Sequence, residues 1–206
     1  SLHPSLPRQI GKYRVLARLG EGATSEVYHC RDEFRGTEVA IKCVRAAAPD
    51  KPTHSGSSGH YYAKFFAAEA ALVGKLNHPN LVQILDAVPD PELPHLVMEY
   101  VQGTTLKTYC KSDALLPMEQ VVELGFKCAM ALGYCYRQGL IHRDVKPANI
   151  MAVVREGRVV DLKITDFGSV FQMDAEATQI HRVGSLSYMS PEQLDGSTLD
   201  ARADMY

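Results

Sequence analysis

Two short stretches of the chain bring carboxylate, ammonium and amide side chains close together in sequence. The first reads HRDVKPANI over residues 142–150, and the second reads DFG over residues 166–168. Asp144 can accept a hydroxyl proton and Lys146 can neutralise a phosphate in transit. Asn149 and Asp166 offer the hard oxygen ligands that Mg²⁺ prefers. These are the groups that phosphoryl transfer from a magnesium nucleotide requires.

The two stretches and their spacing resemble the catalytic loop and metal-binding motif of the eukaryotic-type (Hanks-type) serine/threonine protein kinases. The lysine two residues after the aspartate is the serine/threonine version of that loop. The resemblance covers residues 13–206 and implies a bilobal α+β fold, in which a small antiparallel β-sheet lobe with one helix precedes an incomplete, mainly helical lobe. It also implies catalytic roles for Asp144, Lys146 and Asn149, with Asn149 and Asp166 as ligands of Mg²⁺ or Mn²⁺ and ATP as the co-substrate.

Composition narrows the class of protein. The chain has 206 residues, 46% of them hydrophobic, and a net charge of -2. This length suits one large domain or two small lobes, and the absence of a long like-charge run argues against nucleic-acid or membrane-surface partners. The five cysteines are scattered and form no CxxC pair, which indicates free thiols in a reducing compartment and argues against zinc. We expect a cytoplasmic segment, while a membrane anchor elsewhere in a longer parent chain stays open.

A glycine-containing loop follows the first predicted strand, which covers residues 13–19. A second strand is predicted over residues 28–31, and the lack of a helix after the loop argues against a dinucleotide-binding turn. Glycine lets backbone amides approach phosphate oxygens closely, although a GxG between strands taken alone is more often a plain hairpin turn. The resemblance implies that the loop residues contacting ATP are Leu19, Gly20, Glu21, Gly22, Ala23, Thr24, Ser25 and Val27. Ser25 stands where the kinase pattern has its third glycine, which predicts a stiffer tip.

The strand with sequence VAIK over residues 39–42 resembles the kinase strand whose lysine holds the inner phosphates of the nucleotide. Read alone, it is equally an edge strand with a solvated lysine. A buried ammonium needs a carboxylate, and the candidate is Glu69 in a helix predicted over residues 61–76. We therefore predict an ion pair between Lys42 and Glu69. Residues 46–60, rich in Ala, Pro, Ser and Gly, are predicted to form a mobile loop.

The end of the small lobe is predicted from strands over residues 81–87 and 95–100. The resemblance places Met98 at the gatekeeper position and residues 99–103 at the hinge, so that the lobes cover residues 1–98 and 104–206. The remaining implied ATP contacts are Ala40, Met98, Glu99, Val101 and Met151. Thr105 stands where many kinases carry a carboxylate for the ribose, and its hydroxyl can make only a neutral hydrogen bond.

The second lobe is predicted to begin with a helix that Pro117 opens and Gly139 ends. Its apolar face carries Val121, Leu124, Cys128, Ala131, Leu132 and Cys135. A hairpin follows, with strands over residues 150–154 and 159–165, and Val160, Leu162 and Ile164 are expected to face inward. This hairpin connects the two catalytic stretches.

The polar stretch from Gly168 to Pro191 resembles a kinase activation segment, and its SPEQL ending looks like that of the bacterial serine/threonine kinases. Arg143 can receive a phosphate on this segment through charge-assisted hydrogen bonds. Thr178 is the first candidate phosphorylation site. Ser185 is a second candidate, although we expect it to orient Asp144 and Lys146 instead.

The end of the sequence resembles the start of the long central helix of the large lobe. In the family, an aspartate at the position of Asp204 ties the backbone of the catalytic loop. An arginine expected later in the family to pair with Glu192 has no counterpart before Tyr206, so we expect a domain truncated at this helix.

The resemblance implies an ATP-dependent, non-specific serine/threonine protein kinase. Its partners would be ATP and proteins with serine or threonine hydroxyls, and autophosphorylation would call for self-association. Two alternatives stay open: a nucleotide-binding pseudokinase or scaffold, and a fragment that is inactive in isolation. Intact Lys42, Glu69, Asp144, Asn149 and Asp166 argue against the pseudokinase, since pseudokinases usually lose one of these groups.

Overall fold

The computed structural model describes residues 6–22, 25–44, 66–173 and 185–206. The chain divides into two compact units, the first made of residues 1–75 and 83–100 and the second of residues 76–82 and 101–206. The predicted loop over residues 46–60 and the predicted site residues Ala23, Thr24 and Thr178 lie outside the described residues.

The first unit is built on an antiparallel sheet of six strands. They are β1 Gln9–Ile10, β2 Tyr13–Glu21, β3 Ser25–Asp32, β4 Thr37–Val44, β5 Ile84–Val88 and β6 His95–Glu99. Their order across the sheet is β1-β2-β3-β4-β6-β5. The antiparallel sheet expected for the small lobe is therefore present.

Alternation along the strands separates the core of this unit from its opposite face. The buried cluster consists of Ile10, Tyr13, Tyr28, Cys30, Val39, Ile41, Cys43 and Val97. Because successive residues of a strand point to opposite faces, β4 sends Val39, Ile41 and Cys43 into this cluster. Ala40 and Lys42 are thereby placed together on the other face of the sheet.

The helix predicted over residues 61–76 is shorter at its carboxyl end than expected. Within the described residues, helix α1 covers residues 66–70, and residues 71–75 form turns. The amides of Leu72 and Lys75 bond three residues back, to the carbonyls of Glu69 and Leu72, and Gly74 has a φ of +70°. A left-handed glycine is a common helix stop, and it explains the early end.

Residues 76–82 belong to the second unit, not to the small lobe in which the sequence placed them. Leu81 forms a parallel bridge with Ile164, and the amide of Val82 donates to the carbonyl of Ile164 at 2.8 Å. The buried side chain of Asn80 donates to the carbonyl of Leu162 at 2.9 Å. These bonds hold the backbone of residues 80–82, so β5 begins at Ile84 and not at the predicted residue 81.

The second unit combines strands of two to seven residues with one long helix. Its strands and helices are β7 Gly103–Thr105, α2 Met118–Arg137, β8 Leu140–Ile141, β9 Ile150–Arg155, β10 Arg158–Ile164, β11 Phe171–Gln172, α3 Pro191–Asp195 and α4 Arg202–Met205. Short 3₁₀ helices cover Leu106–Cys110, Pro147–Asn149, Phe167–Ser169 and Leu186–Tyr188. The strands form a sheet of order β10-β9-β7 and a β11-β8 pair. In the ranges that the structure describes, none of the helices is both long and apolar enough for a bilayer crossing.

Helix α2 follows Pro117 directly and is terminated by Gly139, whose φ is +75°. Leu124, Ala131, Leu132 and Cys135 are buried as predicted, whereas Cys128 is only partly buried. The prediction for Val121 is wrong, since 49% of it is exposed. Gln120 and Lys127 contact β10, so the buried face of the helix runs through residue 124 and turns Val121 away.

The hairpin of β9 and β10 leads the chain from one catalytic stretch to the other. Its turn has positive φ angles at both Glu156 and Gly157, which matches the twist of a two-residue hairpin. The register shifts between Val159 and Asp161. This bulge buries Val159 and leaves Val160 43% exposed, so the predicted inward position of Val160 is wrong.

Candidate active site

The backbone of the catalytic loop, defined here as residues 142–149, is held by a carboxylate from the far end of the chain. The amides of His142 and Arg143 each donate to Asp204, to Oδ2 and Oδ1 respectively, at 2.7 Å. Arg143 has a φ of +66°, an uncommon conformation for a residue other than glycine. Burial raises the pKa of the Asp204 carboxyl, while the two backbone hydrogen bonds oppose this shift. The irregular backbone of the loop thus obtains its hydrogen-bond acceptors from Asp204, about 60 residues further along the chain, and not from neighbouring residues.

The carboxylate of Asp144 is held in one orientation by three neighbours. Its Oδ2 accepts hydrogen bonds from Lys146 Nζ at 2.7 Å and Asn149 Nδ2 at 2.8 Å. Its Oδ1 accepts a bond from the amide of Ser185 at 2.9 Å. A carboxylate offers about four acceptor positions. The described residues use three, which leaves one position on Oδ1 for the hydroxyl of a substrate.

The ammonium of Lys146 bridges two parts of the site. Besides Asp144, it donates to the hydroxyl of Ser185 at 2.6 Å. An ammonium has three N–H donors, and the described residues engage two of them. The third can meet an anionic group beside Asp144. Ser185 contacts both residues, which is the geometry that its expected orienting role requires.

Asn149 and Asp166 carry the oxygen atoms that can hold a divalent cation. The Asn149 side-chain nitrogen donates to the carbonyl oxygen of Asp144 at 2.9 Å as well as to its carboxylate, so the amide oxygen is the atom left to act as a ligand. The amide of Thr165 donates to the carbonyl of Asn149 at 2.9 Å, which brings Asp166 next to the catalytic loop in the chain path. An amide oxygen and a carboxylate are hard donors and fit Mg²⁺ or Mn²⁺.

The DFG stretch is strained at its first residue and tied to the catalytic loop by His142. Asp166 has a φ of +66° and a ψ of 69°, which costs of order 1–3 kcal/mol for such a residue and is typical of functional sites. His142, fully buried, contacts the carbonyl of Thr165 through Nε2 at 3.0 Å. Its ring lies 5.1 Å from that of Phe167. The two stretches therefore form one hydrogen-bonded and packed assembly.

The side chain of Arg143 reaches the start of the predicted activation segment. Its Nε donates to the carbonyl of Ser169 at 2.6 Å, and its guanidinium lies 5.6 Å from the centre of the Phe171 ring. Burial lowers the pKa of Arg143, although an arginine stays protonated in proteins. The guanidinium retains terminal N–H donors that can bind a phosphate.

The predicted ion pair between Lys42 and Glu69 is present in the first unit. Lys42 Nζ lies 3.0 Å from Oε1 and 2.9 Å from Oε2 of Glu69. The side chains are 16% and 3% exposed, so the pair is largely withdrawn from water. An ammonium held in this way has a fixed position on the face of β4 that also carries Ala40.

Gly20 and Gly22 lie where β2 meets the glycine loop, and packing among the described residues does not explain them. The amide of Gly22 donates to the carbonyl of Ser25 at 2.8 Å. A Cβ added at Gly20 would have no heavy atom within 4 Å, and one at Gly22 would meet Ser25 only at ordinary contact distance. Neither glycine has a positive φ. Glycine also allows a ligand to approach the backbone closely, and this role fits Gly20 and Gly22.

The other residues predicted to contact ATP fall into both units. Ala40 and Met98 are register partners on β4 and β6, and the Glu99 carboxylate accepts the amide of Gln83 at 2.9 Å. The predicted ATP contacts in the first unit are Leu19, Gly20, Glu21, Gly22, Ser25, Val27, Ala40, Lys42, Glu69, Met98 and Glu99, while Val101 and Met151 lie in the second unit with the catalytic loop.

Sequence reasoning missed Gln193. Its side chain donates to the carbonyl of Arg143 at 2.9 Å and accepts the amide of Ser190 at 3.1 Å. The second contact is half of a capping box at the start of α3. The Ser-x-x-Gln spacing was the available signal, but it predicts only the helix cap and not the bond to the catalytic loop.

Comparison with known proteins identifies the family to which these catalytic stretches belong. Residues 13–206 match the protein kinase domain family. The chain is 36% identical over 209 residues to a probable serine/threonine-protein kinase of Streptomyces coelicolor, with 97% of this chain and 29% of that protein covered. It is 37% identical over 198 residues to one of Clostridium perfringens, with 95% and 27% covered.

A third relative is the serine/threonine-protein kinase PknB of Mycobacterium leprae, which is 35% identical over 208 residues, with 97% of this chain and 31% of that protein covered. The chain thus spans less than a third of the length of these bacterial relatives. Because the family match extends over nearly the whole chain and includes both catalytic stretches, this chain belongs to the protein kinase family, on its bacterial serine/threonine branch.

Proposed function

We propose that the chain transfers the γ-phosphoryl group of ATP to serine and threonine hydroxyls of proteins. The observation that supports this most strongly is the Asp144 carboxylate, fixed by Lys146, Asn149 and Ser185 with one acceptor position left. The names of the bacterial relatives point to the same reaction.

Most of the catalysis in this proposal comes from position and charge. Asp144 accepts the hydroxyl of the substrate and directs its oxygen at the phosphorus atom. Orientation of this kind supplies about 7–11 kcal/mol of barrier reduction, whereas general-base assistance supplies about 10²- to 10⁴-fold in rate. A carboxylate is a weak base toward an alcohol, so it takes the proton late, as the new oxygen–phosphorus bond forms and the bond from the γ-phosphorus to the bridging oxygen breaks, with ADP as the leaving group. Lys146 lies beside it to offset charge on the transferred group.

The proposal also assigns residues to the nucleotide and to the metal. Lys42, fixed by Glu69, is assigned to the inner phosphates, and the backbone of Gly20 and Gly22 to close phosphate approach. Asn149, through its amide oxygen, and Asp166 would hold Mg²⁺ or Mn²⁺. When bound, the metal neutralises phosphate charge and aligns the phosphate oxygens.

The substrates and setting of the reaction are part of the proposal. Proteins with accessible serine or threonine are the acceptors, and the chain itself is one, with Thr178 and Ser185 as candidate sites and a second copy as the enzyme. Ser185 is the weaker candidate, because its hydroxyl is engaged by Lys146. We place the reaction in the cytoplasm, where thiols stay reduced. The five cysteines of the chain are free thiols, which fits such a compartment.

Intact-mass measurement after incubation with ATP and Mg²⁺ tests the proposed function. The chain is compared with its Asp166→Asn variant, each alone and with a generic acceptor protein. We expect added phosphate on the chain or the acceptor with intact Asp166 and none with the variant. No phosphate in either sample would overturn activity of this chain and would favour a nucleotide-binding pseudokinase or an inactive fragment. Equal phosphate in both would overturn the role of Asp166.

A further inference from the structure

The buried side chain of Gln193 joins the segment before α3 to the catalytic loop. Gln193 is 4% exposed. Its Nε2 donates to the carbonyl of Arg143 at 2.9 Å, and its Oε1 accepts bonds from the amide and hydroxyl of Ser190 at 3.1 and 3.2 Å. One side-chain amide therefore bonds two stretches that lie 50 residues apart in sequence.

The helix cap alone does not explain why this residue is an amide. Glutamate and glutamine serve equally as the third helical residue of a capping box with Ser190. Only glutamine also presents an N–H donor, and the carbonyl oxygen of Arg143 requires one. An ionised glutamate at this position would place a carboxylate oxygen against the carbonyl oxygen of Arg143, and neither atom can donate a hydrogen bond. The bond to Arg143 thus calls for glutamine, while the cap does not.

The carbonyl that Gln193 holds belongs to the peptide that enters Asp144. Because a peptide unit is planar, fixing the direction of the Arg143 carbonyl also fixes the direction of the Asp144 amide. The amide of Arg143 is fixed by Asp204. Among the described residues, the partner of the Asp144 amide is His142 Nδ1, at the longer distance of 3.3 Å. Gln193 therefore supplies the stronger of the two restraints on this peptide.

The same segment also touches the side chain of Asp144, since the amide of Ser185 donates to its Oδ1. Residues 185–193 thus hold Asp144 at two points, the carboxylate through Ser185 and the backbone through Gln193. We propose that Gln193 is a positioning residue for phosphoryl transfer, which sets the direction of Asp144 through the Arg143 carbonyl. This inference rests on the proposed function.

Three variants separate positioning from helix capping. Gln193→Glu keeps the capping acceptor and loses the donor to Arg143. Gln193→Met removes both contacts at similar volume. Ser190→Ala removes the capping hydroxyl and leaves the contact to Arg143 in place. The measurements are kcat and the KM values for ATP and for a protein acceptor, each taken relative to wild type from mildly acidic to mildly alkaline pH.

We expect kcat of Gln193→Glu to fall about 10- to 100-fold at neutral and alkaline pH, since a misplacement of about 1 Å costs about 10²-fold. Both KM values should stay within about twofold. As the pH falls, kcat relative to wild type should recover, because the protonated acid can donate to the carbonyl of Arg143 and the carboxylate cannot. Gln193→Met should show the loss without the recovery, and Ser190→Ala should keep kcat within about twofold of wild type.

Other ionisable groups do not confuse this comparison. Arg143, Lys146 and Asp204 line one cavity with Gln193, and Asp144 lies beside them. These four groups, together with Tyr188 and Tyr206 of the same cavity, are present in the wild type and in every variant. Gln193→Met introduces no ionisable group, so a recovery at low pH that appears in Gln193→Glu and not in Gln193→Met comes from the introduced carboxyl. Wild-type kcat for Gln193→Glu across the pH range would overturn the proposal. So would equal losses of kcat in Ser190→Ala and Gln193→Glu.

Amide hydrogen exchange tests the contact without relying on activity. We expect peptides covering residues 142–146 to exchange faster in Gln193→Glu at neutral pH and in Gln193→Met than in wild type or Ser190→Ala. Unchanged exchange in both glutamine variants would overturn the proposal, even in folded proteins with reduced turnover. A wild-type chain that transfers no phosphate is a failure of the proposed function, and the exchange result still decides whether Gln193 holds the loop.

Discussion

The catalytic loop and the described parts of the glycine-rich hairpin, residues 18–22 and 25–27, are both polar segments, but different interactions hold them. In the catalytic loop, side chains from distant parts of the chain bond the backbone, as Asp204 and Gln193 do at Arg143. In the hairpin, backbone hydrogen bonds pair β2 with β3, and its side-chain contacts include surface ion pairs such as Arg18 with Glu21 at 3.0 Å.

The two segments are held differently because the backbone of the catalytic loop is buried and irregular, whereas that of the hairpin belongs to a regular pair of strands. A buried backbone group outside a ladder or helix needs a partner, and a side chain is the partner available to the catalytic loop. The position of Asp144 is therefore set by residues far away in sequence. The strands of the hairpin pair with each other through their backbones, so deletion of an exposed side chain there should change stability little. The predictions below test this contrast.

The largest loss of stability is expected when Asp204 is removed. In Asp204→Ala, the buried amides of His142 and Arg143 lose their acceptor, at about 1–3 kcal/mol each. The carboxylate's own burial cost is also relieved, so we expect the free energy of unfolding to fall by about 2–4 kcal/mol in urea titrations. Transfer activity should fall with it.

Asp200→Ala is the matched control for Asp204→Ala. Asp200 bonds only Arg202 among the described residues, and its side chain is 42% exposed. A loss of stability as large as that of Asp204→Ala would contradict the view that buried backbone donors make the difference.

A smaller loss is expected at Lys42, which lies in a regular strand and yet carries a buried contact. In Lys42→Met, the 3% exposed carboxylate of Glu69 loses the ammonium that bonds both of its oxygens. Breaking a buried pair costs about 3–5 kcal/mol, and the partial exposure of Lys42 lowers our expectation to about 2–3 kcal/mol.

Lys12→Met provides the comparison for Lys42→Met, since Lys12 pairs with Asp32 at 3.0 Å but is 56% exposed. Thermal unfolding of both variants should show the larger drop for Lys42→Met. Equal drops in melting temperature would mean that burial does not determine how much stability is lost when an ion pair is broken.

The smallest effect is expected in the hairpin itself. Arg18 is 40% exposed and pairs with Glu21 and, at 3.4 Å, with Glu26. Exposed ion pairs contribute about 0–1 kcal/mol, so Arg18→Ala should change the free energy of unfolding by less than about 1 kcal/mol. The KM for ATP should stay within about twofold. A loss comparable to that of Asp204→Ala would remove the contrast between the two regions.

Local patterns predicted much of the fold, and the misses share a cause. The glycine loop, the VAIK strand and the catalytic stretches are read from residue types at short spacing. Val160 turned outward because of a bulge, and residues 80–82 joined the second unit through bonds to Leu162 and Ile164. The first outcome depends on strand register, and the second depends on pairing with residues about 80 positions away. Hydrophobic alternation encodes neither of them.

The candidate site shows the same limit. The identities of Asp144, Lys146, Asn149 and Asp166 followed from the sequence, as did the Lys42 to Glu69 pair that the structure contains. The bond from Gln193 to the Arg143 carbonyl did not, because a backbone acceptor leaves no trace in residue types. Contacts from side chain to distant backbone are thus the part of such a site that only the structure reveals.

The central claim is that Asp144 orients the hydroxyl group for transfer and does not hold the nucleotide. The most direct test measures Mg²⁺-dependent ATP affinity by calorimetry and phosphate transfer by intact mass, for the wild type, Asp144→Asn and Asp166→Asn. We predict that Asp144→Asn keeps its affinity within about twofold and loses transfer by at least about 10²- to 10⁴-fold. Asp166→Asn should lose the Mg²⁺-dependent part of the affinity. Wild-type transfer by Asp144→Asn would contradict the account.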